Sequence, residues 1–72
     1  MNPQQQQRKQ LRQLFETNTE GYIFLSQLKK ISPSDLMIRD IAHYYDYVPV
    51  YRNKTSTKII AYKHRTLSDD IF

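Results

Sequence analysis

The feature that most constrains the fold is a pair of short alternating arms near the end of the chain. The first arm reads YVPVY (47–51), the second reads IIAYK (59–63), and the polar loop NKTST (53–57) separates them. Alternation with a period of two predicts β-strands, so these residues predict a hairpin. The loop contains no glycine, which favours a longer connection over a tight turn. Pro49 cannot donate to a ladder, which predicts that its strand lies at an open edge.

The region before the hairpin is helical in pattern. A first helix is predicted from about Gln5, with Arg8, Lys9 and Arg12 elsewhere on its surface. Its apolar face consists of Leu11, Leu14 and Phe15. Spacings of three and four residues place these side chains on one helical face. Asn18 and the only glycine, Gly21, tolerate the positive φ angles that end helices, so the helix should stop there.

A short strand, a second helix and a third helix fill the middle of the chain. YIFL (22–25) is rich in aromatic and branched residues and predicts the strand, while LSQLKKI (25–31) has helical spacing. SPSD then predicts the start of the third helix, with Ser32 as its N-cap, Pro33 in its first position and Asp35 as a capping-box acid. We expect this helix to end near Tyr45.

The order helix, strand, helix, helix, hairpin resembles the winged helix-turn-helix fold, an α+β architecture in which the hairpin is the wing. The resemblance covers 8–65, so 1–7 is predicted to be a flexible glutamine-rich lead and 66–72 a tail. EGYIFLSQLKKI followed by VPVYRNKTSTKIIAYK is also similar to LOTUS and La-motif winged helices. We expect the domain to be the N-terminal module of a larger protein.

Composition excludes several classes of function. The 72 residues contain no cysteine, and the two histidines, His43 and His64, have no partner at metal-ligand spacing. We therefore expect no metal, no cofactor and, without a nucleophile paired to a base, no enzyme activity. No apolar run reaches the roughly 20 residues of a membrane span, and the N-terminus lacks an apolar signal region. We expect a nuclear or cytoplasmic protein that does not enter membranes.

Positive charge is concentrated in the hairpin. The chain has a formal charge of +4, and no Asp or Glu occurs from 47 through 68. Five of the 11 basic residues lie there: Arg52, Lys54, Lys58, Lys63 and Arg65. This pattern favours binding of RNA or DNA through phosphate contacts. The alternative is protection of an exposed strand edge, because edge lysines discourage sheet-to-sheet aggregation.

Tyrosines are the second candidate ligand contacts. Tyr47 and Tyr51 share the strand face opposite Val48 and Val50, so we expect both rings to be exposed. Exposed aromatic rings beside lysines suit stacking on unpaired bases. They also suit a protein interface, where tyrosine is enriched, and structural packing is a third interpretation.

The residues on the outward face of the third helix do not favour reading of base edges. That face carries Asp35, Leu36, Arg39, Asp40, His43 and Asp46. Three carboxylates suit a solvated face with pairs such as Asp35 and Arg39, and they are unfavourable in a DNA groove. The alternative is a protein-docking surface.

The residues of that docking surface would be Leu36, Arg39, His43 and Tyr44. The LOTUS resemblance implies a helicase or another protein as its partner. A homodimer formed through the open edge at Pro49 is a further hypothesis, which we favour less.

Overall fold

The computed structural model describes residues 3–55 and 57–67, and within them it contains three helices and one three-stranded antiparallel sheet. The predicted small α+β fold is confirmed. The elements are α1 (Pro3–Thr17), β1 (Tyr22–Phe24), α2 (Leu25–Ile31), α3 (Asp35–Tyr44), β2 (Tyr47–Tyr51) and β3 (Ile59–His64). Most of the predicted tail, and Ser56 of the predicted loop, lie outside the described residues.

Helix α1 is longer than the apolar pattern indicated. It begins at Pro3, and so it includes glutamines that we assigned to the lead. One of them, Gln7, accepts a hydrogen bond from the Ser32 hydroxyl at 3.2 Å. At the other end, Gly21 adopts the positive φ expected of it, 85°. Asn18 instead uses its side-chain amide, which donates to the Tyr22 carbonyl at 3.2 Å.

The predicted cap of α3 is wrong by two residues. Ser34 is the N-cap, since its hydroxyl accepts a hydrogen bond from the Met37 amide at 3.2 Å. Ser32 is fully buried and instead ends α2, where its amide donates to the Leu28 carbonyl at 3.0 Å. Pro33 therefore precedes the cap. A serine pair flanking a proline offers two possible caps, and the buried Ser32 hydroxyl instead donates to Gln7 of α1.

The sheet has the order β1-β3-β2, so β3 is central and β2, with Pro49, is an edge strand as predicted. One row across the sheet consists of Ile23 on β1, Tyr62 on β3 and Pro49 on β2. Ile23 and Tyr62 are buried, so this row belongs to the inner face, against the helices. The loop between β2 and β3 is closed by a hydrogen bond from the Arg52 amide to the Lys58 carbonyl at 2.9 Å.

The core lies between the inner face of the sheet and the three helices. Its buried side chains are Leu11, Phe15, Ile23, Leu28, Met37, Ile38, Ile41, Ala42, Tyr47 and Tyr62. Each large apolar side chain buried in this way contributes roughly 1.5–3 kcal/mol relative to an exposed one. The core thereby fixes α3 and the hairpin relative to each other, which determines the geometry of the candidate interface.

Candidate nucleic-acid interface

Three of the predicted phosphate contacts meet at one surface depression on the hairpin. This wing depression is lined by Pro49, Val50, Tyr51, Arg52, Asn53, Lys54 and Lys63. It combines three cations with a half-exposed aromatic ring, because Tyr51 is 45% exposed. None of its lining residues carries a carboxylate. The depression can therefore attract a phosphate chain and offer a ring to a base.

Lys58 belongs to a different surface. It lines a cleft between the helices and β3, together with Lys29 and Arg39. Asp35 also lines this cleft, and its carboxylate forms an ion pair with Lys29. The structure thus shows Asp35 paired with a lysine of α2, where we predicted a pair with Arg39. The cleft is mixed in charge, so it attracts phosphate less strongly than the wing depression does.

Arg65 lies at the opposite end of the hairpin from the loop. Six residues of β3 separate the loop from the turn that contains Arg65, a distance of roughly 20 Å. Its Nε atom is 3.9 Å from an Asp46 carboxylate oxygen, and its amide donates to the Asp46 carbonyl at 3.0 Å. Arg65 is therefore not brought together with Arg52 and Lys54, although all three are close in sequence.

The expectation that Tyr47 is exposed is wrong. Tyr47 is only 6% exposed, and its ring packs edge-on against Phe15 with centroids 4.9 Å apart. Its hydroxyl accepts a hydrogen bond from the Asn18 amide at 3.0 Å. Tyr47 lies near the C-terminal end of α3, where the core extends over the strand. Tyr51 lies at the loop end of the same strand and remains half-exposed, so of these two tyrosines only Tyr51 can contact a ligand.

Helix α3 presents the residues of the alternative docking surface to solvent. Leu36 is 72% exposed and Tyr44 is 79% exposed, while Arg39 and His43 are also exposed. Leu36 and Tyr44 are eight residues apart, so they lie on neighbouring parts of one helical face about 12 Å apart along the axis.

Two tyrosines have a pKa above the ordinary value. Burial raises the pKa of Tyr62, and Asp35 and Tyr51 raise it further, whereas Arg39 opposes them. A hydrogen bond to Glu16, 2.6 Å long, is the main cause that raises the pKa of Tyr45. Both rings therefore stay neutral at physiological pH. Neither offers an acid or a base near neutrality.

One surface was not recognised from the sequence: the outer face of the sheet. In the register Tyr22 lies opposite Lys63, which lies opposite Val48. Phe24 lies in the next row of the same face and is 45% exposed. The alternation within YIF contained the signal, because Ile23 is buried and its two neighbours must point the other way. The pairing of β1 with β3, however, was not predictable from the three residues of β1.

Comparisons with known protein families, with curated proteins and with solved structures found no match for this chain. The three helices and the three-stranded sheet are compatible with a winged helix, while the LOTUS and La-motif resemblances stay predictions. Among residues 3–55 and 57–67, no group of three or more His, Cys, Asp or Glu side chains could hold a metal ion. Within the same ranges, none of the helices combines the length and the apolar character that a membrane span requires.

Proposed function

We propose that this chain is a winged-helix module that binds RNA or DNA and catalyses no reaction. The observation that carries the proposal is the wing depression, where Arg52, Lys54 and Lys63 surround one concave surface without a carboxylate. Binding there uses the phosphate backbone and the Tyr51 ring. The exposed face of α3 contains acidic residues, so reading of base edges in a major groove is not part of the proposal.

The number of cations sets the expected strength and salt dependence. Three phosphate contacts to a single strand give a slope of log affinity against log salt of about −2, since each contact contributes about −0.7. Contacts of this kind alone give dissociation constants of roughly 10⁻⁴ to 10⁻⁶ M at physiological salt. We expect affinity in this range, with little dependence on sequence.

The test measures binding of labelled single-stranded RNA and of duplex DNA by fluorescence anisotropy, at about 50 mM and about 200 mM salt. The variant Arg52→Glu/Lys54→Glu should lose at least about tenfold in affinity, because two contacts become repulsive. The matched control is Arg8→Glu/Lys9→Glu. It changes the net charge equally on α1, where both side chains are exposed.

An equal loss in both variants would show that only the net charge attracts nucleic acid. If the natural chain binds neither nucleic acid at the lower salt, nucleic-acid binding is wrong and the hairpin lysines protect the strand edge.

The second candidate function is docking of a protein partner on α3. It is favoured by the exposure of Leu36 and Tyr44, the two most exposed of the large hydrophobic side chains in the described residues. An affinity capture with the natural chain and with Leu36→Asp/Tyr44→Asp tests it. If the partner docks on α3, the natural chain and Arg52→Glu/Lys54→Glu should both bind it. Leu36→Asp/Tyr44→Asp should not bind it. A partner retained by all three chains would contradict docking on α3.

A further inference from the structure

We propose that the outer face of the sheet is a stacking platform for unpaired bases, which makes single-stranded nucleic acid the ligand. This inference rests on the proposed function and extends it from the phosphates to the bases. The platform consists of Tyr22, Phe24, Val48, Val50 and Lys63.

The register of the sheet places these side chains side by side. Tyr22 and Lys63 are opposite each other, and Val48 is opposite Lys63 from the other strand. Phe24, Ala61 and Val50 form the next row of the same face. Opposed side chains in an antiparallel sheet have Cβ atoms about 5 Å apart, so the two rows form one apolar surface with a single cation at its centre.

The aromatic part of this surface is held in position. The rings of Tyr22 and Phe24 meet edge to face, with centroids 5.6 Å apart and an interplanar angle of 78°. Such a contact restricts both rings, and Phe24 remains 45% exposed. A ring that is already ordered loses little entropy when a base stacks on it.

The platform is continuous with the wing depression, because Val50 and Lys63 belong to both. A nucleic-acid strand whose phosphates contact Arg52 and Lys54 could therefore also place its bases on the platform. Two rows of a sheet are about 7 Å apart along the strands, a distance comparable to the span of one extended nucleotide. Phosphate contacts at the wing depression and base contacts on the platform together suit a single-stranded ligand.

A duplex does not fit this surface in the same way. Its base faces are stacked on each other, so a protein reaches only base edges and the backbone. An apolar sheet face with an exposed aromatic ring gains its stabilisation from the face of a base, which only an unpaired nucleotide presents. The platform therefore selects single strands, whereas the cations alone would bind either form.

The experiment compares two probes of equal charge. One is a labelled oligouridylate of about ten nucleotides, and the other is an abasic ribose-phosphate strand of the same length. The natural chain should bind the oligouridylate about tenfold more tightly, since stacking of a base on an aromatic ring contributes that much or more. In Phe24→Leu this ratio should fall severalfold, and the remainder reflects stacking on the Tyr51 ring. The matched control Tyr44→Leu removes an exposed ring from α3 and should keep the ratio.

Each outcome decides between the two claims. If the natural chain binds both probes equally and Arg52→Glu/Lys54→Glu loses that binding, the platform is overturned, while phosphate binding at the wing depression still stands. A ratio of about tenfold that persists in Phe24→Leu would also overturn the platform. Binding of neither probe at low salt would overturn both claims. Equal binding of the two probes is measured on the natural chain without any variant, so this outcome overturns the platform even if Phe24→Leu folds poorly.

Discussion

The two faces of the sheet are built from the same three strands, yet one is buried against the helices and the other is exposed to solvent. The inner face carries Ile23 and Tyr62, both buried in the core. The outer face carries Phe24 on β1 and Val48 on β2, both exposed, with Lys63 on the central strand β3 between them. Substitutions on the inner face should therefore change the free energy of unfolding. Substitutions on the outer face should change the affinity for nucleic acid and leave the fold intact.

The largest expected effect comes from the neighbours Ile23 and Phe24. Ile23→Ala removes a core side chain and should lower the free energy of unfolding by about 2–5 kcal/mol. Phe24→Ala acts on the outer face and should cost about 1 kcal/mol, because half of the ring is already solvated. Urea denaturation followed by circular dichroism measures both. Similar costs for the two variants would contradict the assignment of the faces.

The second comparison uses two tyrosines of β2. Tyr47→Leu removes a buried ring and its hydrogen bond with Asn18, and should lower the free energy of unfolding by about 2 kcal/mol. Its affinity for single-stranded RNA should not change. Tyr51→Leu should do the reverse, with stability within about 0.5 kcal/mol and about fivefold weaker binding. If Tyr47→Leu folds but binds single-stranded RNA more weakly, Tyr47 contributes to the interface and its assignment to the core alone is wrong.

A smaller effect is expected at the cation of the outer face. Lys63→Gln should weaken binding about threefold and make the slope of log affinity against log salt less steep by about 0.7. The free energy of unfolding should stay within about 0.5 kcal/mol of the natural value. Anisotropy titrations at several salt concentrations measure the slope. An unchanged slope would show that Lys63 contacts no phosphate.

The smallest effect concerns pH and the inner face. The pKa of Tyr62 is raised in the folded state by burial, so folding favours the neutral phenol. The stabilisation is fully present below the ordinary pKa near 10 and is lost as pH rises through the folded value. The free energy of unfolding should therefore fall above about pH 10. Tyr62→Phe should show a smaller fall, and the same fall in both chains would contradict the role of Tyr62.

The local elements were predictable because their signals are local. The helical spacing of Leu11, Leu14 and Phe15 and the alternation in the hairpin arms depend only on residues close in sequence. The positive φ of Gly21 was likewise predictable from its lack of a Cβ atom. The two hairpin strands begin at the predicted residues, and the α+β class follows from the order of the elements.

The candidate site was predictable only in part. The excess of cations in the hairpin was visible in the sequence, but their grouping was not. Lys58 lines a different cleft from Arg52 and Lys54, although all three lie between β2 and β3 and the Arg52 amide donates to the Lys58 carbonyl. The burial of Tyr47 was also not predictable, since alternation defines two faces without indicating which one meets the helices.

The sequence by itself determined which segments are helices and strands, and it concentrated positive charge in the hairpin. Only the tertiary structure decided the sheet order β1-β3-β2, the choice of Ser34 over Ser32 as a cap, and the outer face shared by Phe24 and Lys63. The physical reason is that period and propensity act within a few residues. Strand partners and buried faces depend on which apolar surfaces meet when distant segments pack together.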